Sequence, residues 1–403
     1  MGTAIVTLAI ALAMTTGSRS DGAANAFVFL SPYVADQASG GGLVGRMNLA
    51  CLRQAAPLTA AFALSNEPST TNYTSIGAPR NTYTTALCNL LGLAGRLTPV
   101  GLLRCMRAIL RWRPAVVFID SSSLGWVALL SRVLSPRSHL VVFFYNIEFD
   151  FQIARSCREG RRYWLSAVAE YINERLSVMS GHTLLMLTQD DSRRAHQLYG
   201  RGADDLTPVA LVDGACATQS MHDTEGSSSN AILFVGSNFY ANREAATFLV
   251  RRLAPILQRR GGTQVWIAGN GFTPSDWQGE LPSNVRMLGR VENLTTLYRE
   301  ATAFVAPIFS GAGMKVKVAE SLMHGCPVIG TPLALRGYID GVSAPHLLTA
   351  STDEEYLRAI ETCRSRRQDL GRKAREDFVD RFSFPVAARR LRMILERRIA
   401  SRH

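Results

Sequence analysis

Two of the three lysines in this 403-residue chain, Lys315 and Lys317, stand one residue apart directly behind Gly311-Ala312-Gly313 and Met314, in a sequence that otherwise uses arginine for nearly all of its 44 basic residues. Glycines between a strand and a helix let a backbone approach phosphate, because no Cβ intervenes and the helix N-terminus offers unpaired N–H groups with a partial positive charge. A compact ammonium with three donors suits a diphosphate in a tight pocket where a guanidinium fork does not fit. The competing reading is two lysines flanking the first turn of a solvated helix. If the helix is regular from Met314, the two side chains project about 200° apart, so either Lys315 still belongs to the loop or only one lysine reaches a ligand. Glu320 follows Lys317 by three residues on the same helical face. Its carboxylate could accept two hydrogen bonds from a ribose diol or form a surface pair with Lys317.

Other reactive residues form weaker patterns. Glu148-Phe149-Asp150 is an acid-x-acid run of the kind that holds a metal-bridged diphosphate, but it follows an expected strand far from the lysine loop. Asn146 and Glu148 are read instead as lining the acceptor side of a site or as helix-capping and structural residues. Neither a Ser-His-Asp nor a Cys-His set is evident, and no histidine has metal-ligand spacing. The seven cysteines are scattered, which fits neither a disulfide framework nor a zinc site and points to a reducing cytoplasm. No metal or other cofactor is expected.

The elements that must position these residues alternate as short apolar runs and longer amphipathic ones, the rhythm of parallel strands joined by helices. Strands are expected at 27–31, 58–64, 115–120, 140–145 and 184–188, with 65–98 as a long loop bordering a site. The polar run 213–230 reads as a linker. Beyond it come strands at 232–235, 264–268, 285–288, 303–307 and 328–331, with helices at 243–259, 294–301 and 316–324. The expected fold class is α/β, two Rossmann-like doubly wound domains facing across a cleft. Residues 25–212 form the first domain and 231–382 the second, followed by a basic helix over 383–403 that opens with Ser383-Phe384-Pro385.

Residues 364–402 hold 13 Arg or Lys against five Asp or Glu, so most of the formal net charge of +12 is a carboxy-terminal feature. Solvated helix surface is the first reading, a patch facing anionic membrane lipid the second, and nucleic acid is not expected, because no recognition motif accompanies the charge. The apolar stretch 3–16 is shorter than the roughly 20 residues that span a bilayer. It leaves 1–24 as an extension open between a signal and a surface-packed helix. The expected location is cytoplasmic, with peripheral contact at the inner membrane face in the second reading.

From Ile232 to Tyr338 the sequence resembles the group 1 (family 4) glycosyltransferases of the GT-B fold. The carrying segments are Phe234-Val235-Gly236-Ser237 with Asn242, Val265 to Gly271, Val285 to Val291, Gly311 to Ser321, and Gly325-Cys326-Pro327-Val328-Ile329-Gly330-Thr331. The resemblance implies that Glu320 holds the nucleotide ribose and that Gly289, Arg290 and Val291 border the base. It also implies that Lys315 and Lys317 face the diphosphate, and that Gly236, Asn242 and the amides of Gly311, Ala312, Gly313 and Met314 contact the donor. Gly40-Gly41-Gly42 looks like the family's amino-domain loop that meets donor and acceptor, with a flexible turn as the other reading. The common family pattern is Glu-x7-Glu, yet the residue eight before Glu320 is Ala312, and the chain instead resembles the subgroup that writes Gly-Ala-Gly-x-Lys-x-Lys.

The function expected is transfer of a hexosyl group from a nucleoside-diphosphate sugar to a glycan or lipid-linked acceptor. It would proceed without metal and, as the resemblance implies, with retention at the anomeric carbon. A sugar-nucleotide epimerase or phosphorylase on the same plan and a non-catalytic sugar-nucleotide binder are the alternatives.

Overall fold

The computed structural model describes residues 26–400 apart from 38, 57, 95, 215–228, 274–275, 278–280 and 340–343. The extension 1–24 and most of the linker 213–230 therefore lie outside the described residues. The described residues form two compact units: those up to 208 together with 387–400, and those from 209 to 386.

The first unit is built on seven strands: β1 (Phe27–Ser31), β2 (Leu58–Ala63), β3 (Thr74–Ser75), β4 (Val116–Ile119), β5 (His139–Phe144), β6 (Thr183–Met186) and β7 (Asp205–Leu206). Their order is β3-β2-β1-β4-β5-β6-β7, and every pairing is parallel. The central strands β1, β4, β5 and β6 are buried at every position. This is why they read as unbroken apolar runs rather than as alternation: helices cover both faces of a parallel sheet.

Seven helices lie between these strands: α1 (Gly40–Ala55), α2 (Thr82–Leu90), α3 (Pro99–Trp112), α4 (Gly125–Leu134), α5 (Glu148–Glu159), α6 (Trp164–Ser180) and α7 (Gln189–Tyr199). α2 corrects the reading of 65–98 as a loop. It is nine residues long, and its start is fixed by a capping box in which Asn81 Oδ1 accepts from Thr84 N while Thr84 Oγ1 accepts from Asn81 N. Such reciprocal bonds satisfy the orphan donors of a helix too short to announce itself by periodicity.

The second unit holds β8 (Ala231–Val235), β9 (Gln264–Ala268), β10 (Val285–Gly289), β11 (Ala303–Ala306), β12 (Val328–Gly330) and β13 (Leu347–Thr349), in the order β10-β9-β8-β11-β12-β13, again parallel. Its helices are α8 (Tyr240–Phe248), α9 (Ala254–Arg259), α10 (Thr295–Glu300), α11 (Val316–Met323), α12 (Asp353–Ser365) and α13 (Arg367–Asp377). The helix expected over 243–259 begins three residues earlier and is interrupted by a wider turn at Leu249–Leu253. The fold is thus two parallel-sheet, Rossmann-like domains.

The last helix, α14 (Phe384–Ala400), buries Ala388, Leu391, Ile394 and Leu395 as one apolar stripe. Its arginines hold it to the first unit: Arg397 and Arg398 both reach the Asp205 carboxylate, and Arg392 donates to Gln54 O. Nearby, Arg375 pairs with Asp213, and Asp369 receives Arg366, Arg372 and Lys373. Much of the carboxy-terminal basicity is therefore matched within the protein.

Candidate functional site

The order of the second sheet places a reversal between β8 and β11. From β8 the chain proceeds outward to β9 and β10, then returns to β11 and proceeds the other way. Open parallel sheets bind ligands beyond the carboxyl ends of the strands at such a point. The loop after β8 is Gly236 to Phe239, and the loop after β11 runs from Pro307 to Lys315, so the glycine and lysine segment occupies this position.

The β11 loop packs on α8, the helix that follows the β8 loop. Ser310 Oγ donates to Glu244 Oε2 of α8 at 2.7 Å, and the Phe309 ring packs edge-on against Phe248 with centroids 5.4 Å apart. Gly311 and Gly313 have φ of +105° and +69°. The chain reverses here in a conformation that side-chain-bearing residues rarely adopt. α11 starts at Val316 with Lys315 as its N-cap in extended geometry, so Lys315 belongs to the loop. Its Nζ donates to Ala312 O at 2.9 Å and to Gly313 O at 2.8 Å, tying the reversal from inside. From the other side, Tyr338 donates its hydroxyl to Lys315 O at 2.9 Å and accepts from Ala319 N at 3.3 Å.

Lys317 lies in the first turn of α11 and pairs with Glu320 Oε2 at 2.6 Å, the Lys side chain 42% and the Glu side chain 21% exposed. The fully buried Tyr298 hydroxyl lies 3.5 Å from the same oxygen, and its ring stacks on His324, which ends α11. Burial, reinforced by the Glu320 charge, holds the Tyr298 hydroxyl well above its usual range, so it stays a donor. Burial lowers the His324 imidazole despite the opposing pull of Glu320, which favours its neutral form. Tyr298 and His324 were not singled out from the sequence; an aromatic in a surface helix carries no signal of what lies beneath it.

Gly236, Gly269 and Gly289 bring three strand ends together. A Cβ on Gly269, whose φ is +144°, would lie 1.7 Å from Gly236 O, and Gly269 N donates to Gly289 O at 2.7 Å. Asn242 Nδ2 donates to Ser237 O at 2.9 Å and closes the β8 loop. Beyond Gly289, Arg290 is exposed and Val291 half-buried. Gly236, Asn242, Gly289, Gly311, Ala312, Gly313, Met314, Lys315, Lys317 and Glu320 thus belong to one end of one sheet and its helices. The arrangement offers a helix N-terminus, an ammonium and a carboxylate in the succession that an anionic group followed by a diol requires.

The remaining candidates lie in the first unit. Gly40, Gly41 and Gly42 form the first turn of α1 rather than a flexible turn. Ser39 Oγ caps this turn by accepting from Gly42 N at 3.0 Å, and a Cβ on Gly42 would meet Asp36 O at 1.9 Å. Asn146 follows β5 and is half-buried. Glu148 heads α5 and is buried near Glu170 and Glu174 of α6. Glu174 accepts from Glu148 N at 2.9 Å, Phe149 N at 3.1 Å and the Tyr199 hydroxyl at 2.8 Å, so a carboxylate on one helix caps another. Burial and the neighbouring carboxylates raise Glu148 well above the usual range, while burial pushes Glu174 up to about 8. Asp150 turns instead to Arg194 at 2.7 Å, so the acid-x-acid run divides between two environments.

Sequence reasoning missed Asp120, at the end of β4 where the first sheet reverses between β1 and β4. It is fully buried and receives Ser31 Oγ at 2.7 Å, Tyr145 Oη at 2.8 Å and Asn48 Nδ2 at 2.7 Å. Burial outweighs these bonds and pushes its carboxyl up to about 7. An aspartate closing an apolar strand was the available signal.

Residues 229–365 match the family model described as glycosyl transferases group 1. No curated protein sequence matches the chain. Among solved structures, Anabaena Alr3699/HepE in complex with UDP and glucose superposes with a TM-score of 0.64 at 13% identity, covering 92% of this chain and 99% of that one. A glycosyltransferase from Rickettsia africae gives 0.61 at 12% identity over 93% and 98% of the two chains. Trehalose-6-phosphate synthase, studied for glycosyl transfer with retention, gives 0.61 at 12% over 92% and 99%. Within the second unit, residues 229–365 are thus similar to the group 1 glycosyl transferases, in a chain whose two parallel-sheet domains have the GT-B fold of these solved structures.

Proposed function

We propose that the chain transfers a hexosyl group from a nucleoside-diphosphate sugar to a glycan or lipid-linked acceptor, with retention and without a metal. The observation that carries the reading is the loop from Gly311 to Lys317, placed at the reversal of the second sheet with Lys315 in the loop and Lys317 in the first turn of α11. Breaking the bond between anomeric carbon and diphosphate builds negative charge on the leaving group while the sugar becomes oxocarbenium-like. Donors fixed around that diphosphate therefore stabilise the transition state more than the ground state. The α11 N-terminus and Lys317 supply this, while Lys315 keeps the amides of Gly311 to Met314 in place. Glu320 takes the ribose diol once Lys317 turns from it to phosphate. The complexes of Anabaena Alr3699/HepE with UDP and UDP-glucose support a nucleotide sugar as the donor.

Ala312, standing where the common pattern has its first glutamate, favours one second reading, a sugar-nucleotide binder that does not turn over. A thermal-shift panel of uridine and guanosine diphosphates and their sugars, followed by assay of donor consumption with glycan and lipid acceptors, separates the two. Transferase predicts stabilisation by one diphosphate series and acceptor-dependent release of that diphosphate. Stabilisation with no release across the acceptor set supports the binder, and a donor sugar that changes configuration without acceptor indicates an epimerase.

A further inference from the structure

The helix that interrupts the expected loop is built inside out. On α2, Tyr83, Leu87 and Leu90 follow one another at i, i+4 and i+7, a single stripe, and they are 85%, 57% and 66% exposed. Cys88, on the opposite side, is the buried residue that faces the protein. α2 is fastened to the beginning of α6 by Asn89 Nδ2 donating to Ser166 Oγ at 2.9 Å. The first residue of α6, Trp164, is itself 61% exposed.

The charge around these residues is predominantly positive, and a neighbouring carboxylate, Glu159, is paired with Arg155 at 2.7 Å. Between Glu67 and Asp120 the sequence contains six arginines and neither Asp nor Glu. Arg80 is exposed immediately before the N-cap of α2, and Arg161 and Arg162 are exposed three and two residues before Trp164. Scattered exposed apolar side chains need no explanation, but an ordered stripe of them beside an excess of arginine does. Tyrosine and tryptophan with an apolar body and a polar tip, leucine, and arginine together are the composition that settles at a bilayer surface.

We propose that α2 and the head of α6 form a surface by which this chain docks on an anionic lipid bilayer, Tyr83, Leu87 and Leu90 entering the interface and the arginines meeting the headgroups. The carboxy-terminal basic helix, the segment of the sequence richest in arginine, is not the main contact. Its Arg397 and Arg398 are held by Asp205 and its apolar stripe is buried. The proposal does not depend on the reaction assigned to the second unit.

The test is co-sedimentation of the full chain with phosphatidylcholine vesicles and with vesicles containing one quarter phosphatidylglycerol. The unmodified chain is expected to sediment with the anionic vesicles only. Tyr83→Ser/Leu87→Ser/Leu90→Ser is expected to lower its partitioning by about tenfold or more. Arg389→Gln/Arg392→Gln is expected to change it by less than about twofold. All three residues of the first variant are exposed, and an unchanged thermal midpoint checks its fold. Independently of that variant, brominated phosphatidylglycerol vesicles should quench the unmodified chain more than Trp164→Phe. Equal partitioning of the α2 variant, failure of the unmodified chain to bind anionic vesicles, or equal quenching overturns the proposal. So does a dimer in solution that the α2 variant abolishes, which would assign the stripe to a second copy of the chain.

Discussion

Asp120 sets burial against hydrogen bonding in one carboxyl, and the outcome can be read as stability. Three donors converge on it, Ser31 Oγ and Tyr145 Oη on Oδ2 and Asn48 Nδ2 on Oδ1, each favouring the charged form. Complete burial opposes them and wins, raising the carboxyl from 3.8 to about 7. A carboxyl raised on folding binds its proton more tightly in the native state, so its stabilising contribution is complete below the unfolded value and is lost as pH rises through the folded one. The full span corresponds to about 4 kcal/mol, of which roughly 3 kcal/mol disappears between about pH 5 and pH 8. For a unit of this size that is a fall of about 5–10 °C in unfolding midpoint. Asp120→Asn keeps the shape and an oxygen for Asn48, and the Tyr145 hydroxyl can rotate to accept from the new amide. Ser31 Oγ, which already accepts from Tyr33 N and Val34 N at 3.1 Å, loses its acceptor at a cost that does not change with pH. Glu148 and Glu174, also raised, remain in both proteins. Calorimetric midpoints of the two proteins across this range should therefore diverge, the unmodified chain falling more steeply as pH rises. Parallel curves would refute the reasoning, because they would mean that the three hydrogen bonds keep Asp120 ionised throughout.

Three further outcomes follow from the geometry. Gly269→Ala should destabilise the second unit by about 3 kcal/mol or more in chemical denaturation, since its Cβ would sit 1.7 Å from Gly236 O at a φ of +144°. Glu174→Leu should cost the first unit about 3–5 kcal/mol by stranding the donors of Glu148, Phe149 and Tyr199, whereas Glu174→Gln, which keeps an acceptor, should cost less than half as much. Ser310→Ala removes the bond between the β11 loop and Glu244 and should weaken nucleoside-diphosphate binding about threefold to tenfold in titration calorimetry, with little effect on the melting midpoint.

The sequence revealed both sheets because their central strands are buried on both faces and so appear as unbroken apolar runs: 27–31 and 264–268 match β1 and β9 residue for residue. It showed less where order depends on capping rather than on periodicity. α2 has one buried residue, Cys88, and its stripe of three apolar side chains faces outward, too short a pattern over nine residues to mark a helix against the Thr- and Asn-rich segment around it. In the candidate site, the glycines and the scarce lysines were legible because their types are unusual at those positions. The choice between Lys315 in the loop and Lys315 on the helix was not, since it turns on where α11 begins. The Lys317–Glu320 pair was one of two readings, and the structure contains that pair. Tyr298 beneath Glu320 and the donors around Asp120 come from residues 22 to 89 positions away, a separation that local spacing does not report.

The central claim is that the loop from Gly311 to Lys317 holds a diphosphate, and calorimetric titration of nucleoside di- and monophosphates into the unmodified chain, Lys315→Ala and Lys317→Ala tests it most directly. Losing the charge-assisted Lys317 contact, about 1.5–3 kcal/mol, or the two Lys315 bonds that hold the loop amides in place, predicts that each variant binds the diphosphate roughly tenfold or more weakly, while binding of the monophosphate through base and ribose changes much less. Diphosphate affinity unchanged in both variants, with the monophosphate still bound, would contradict the account.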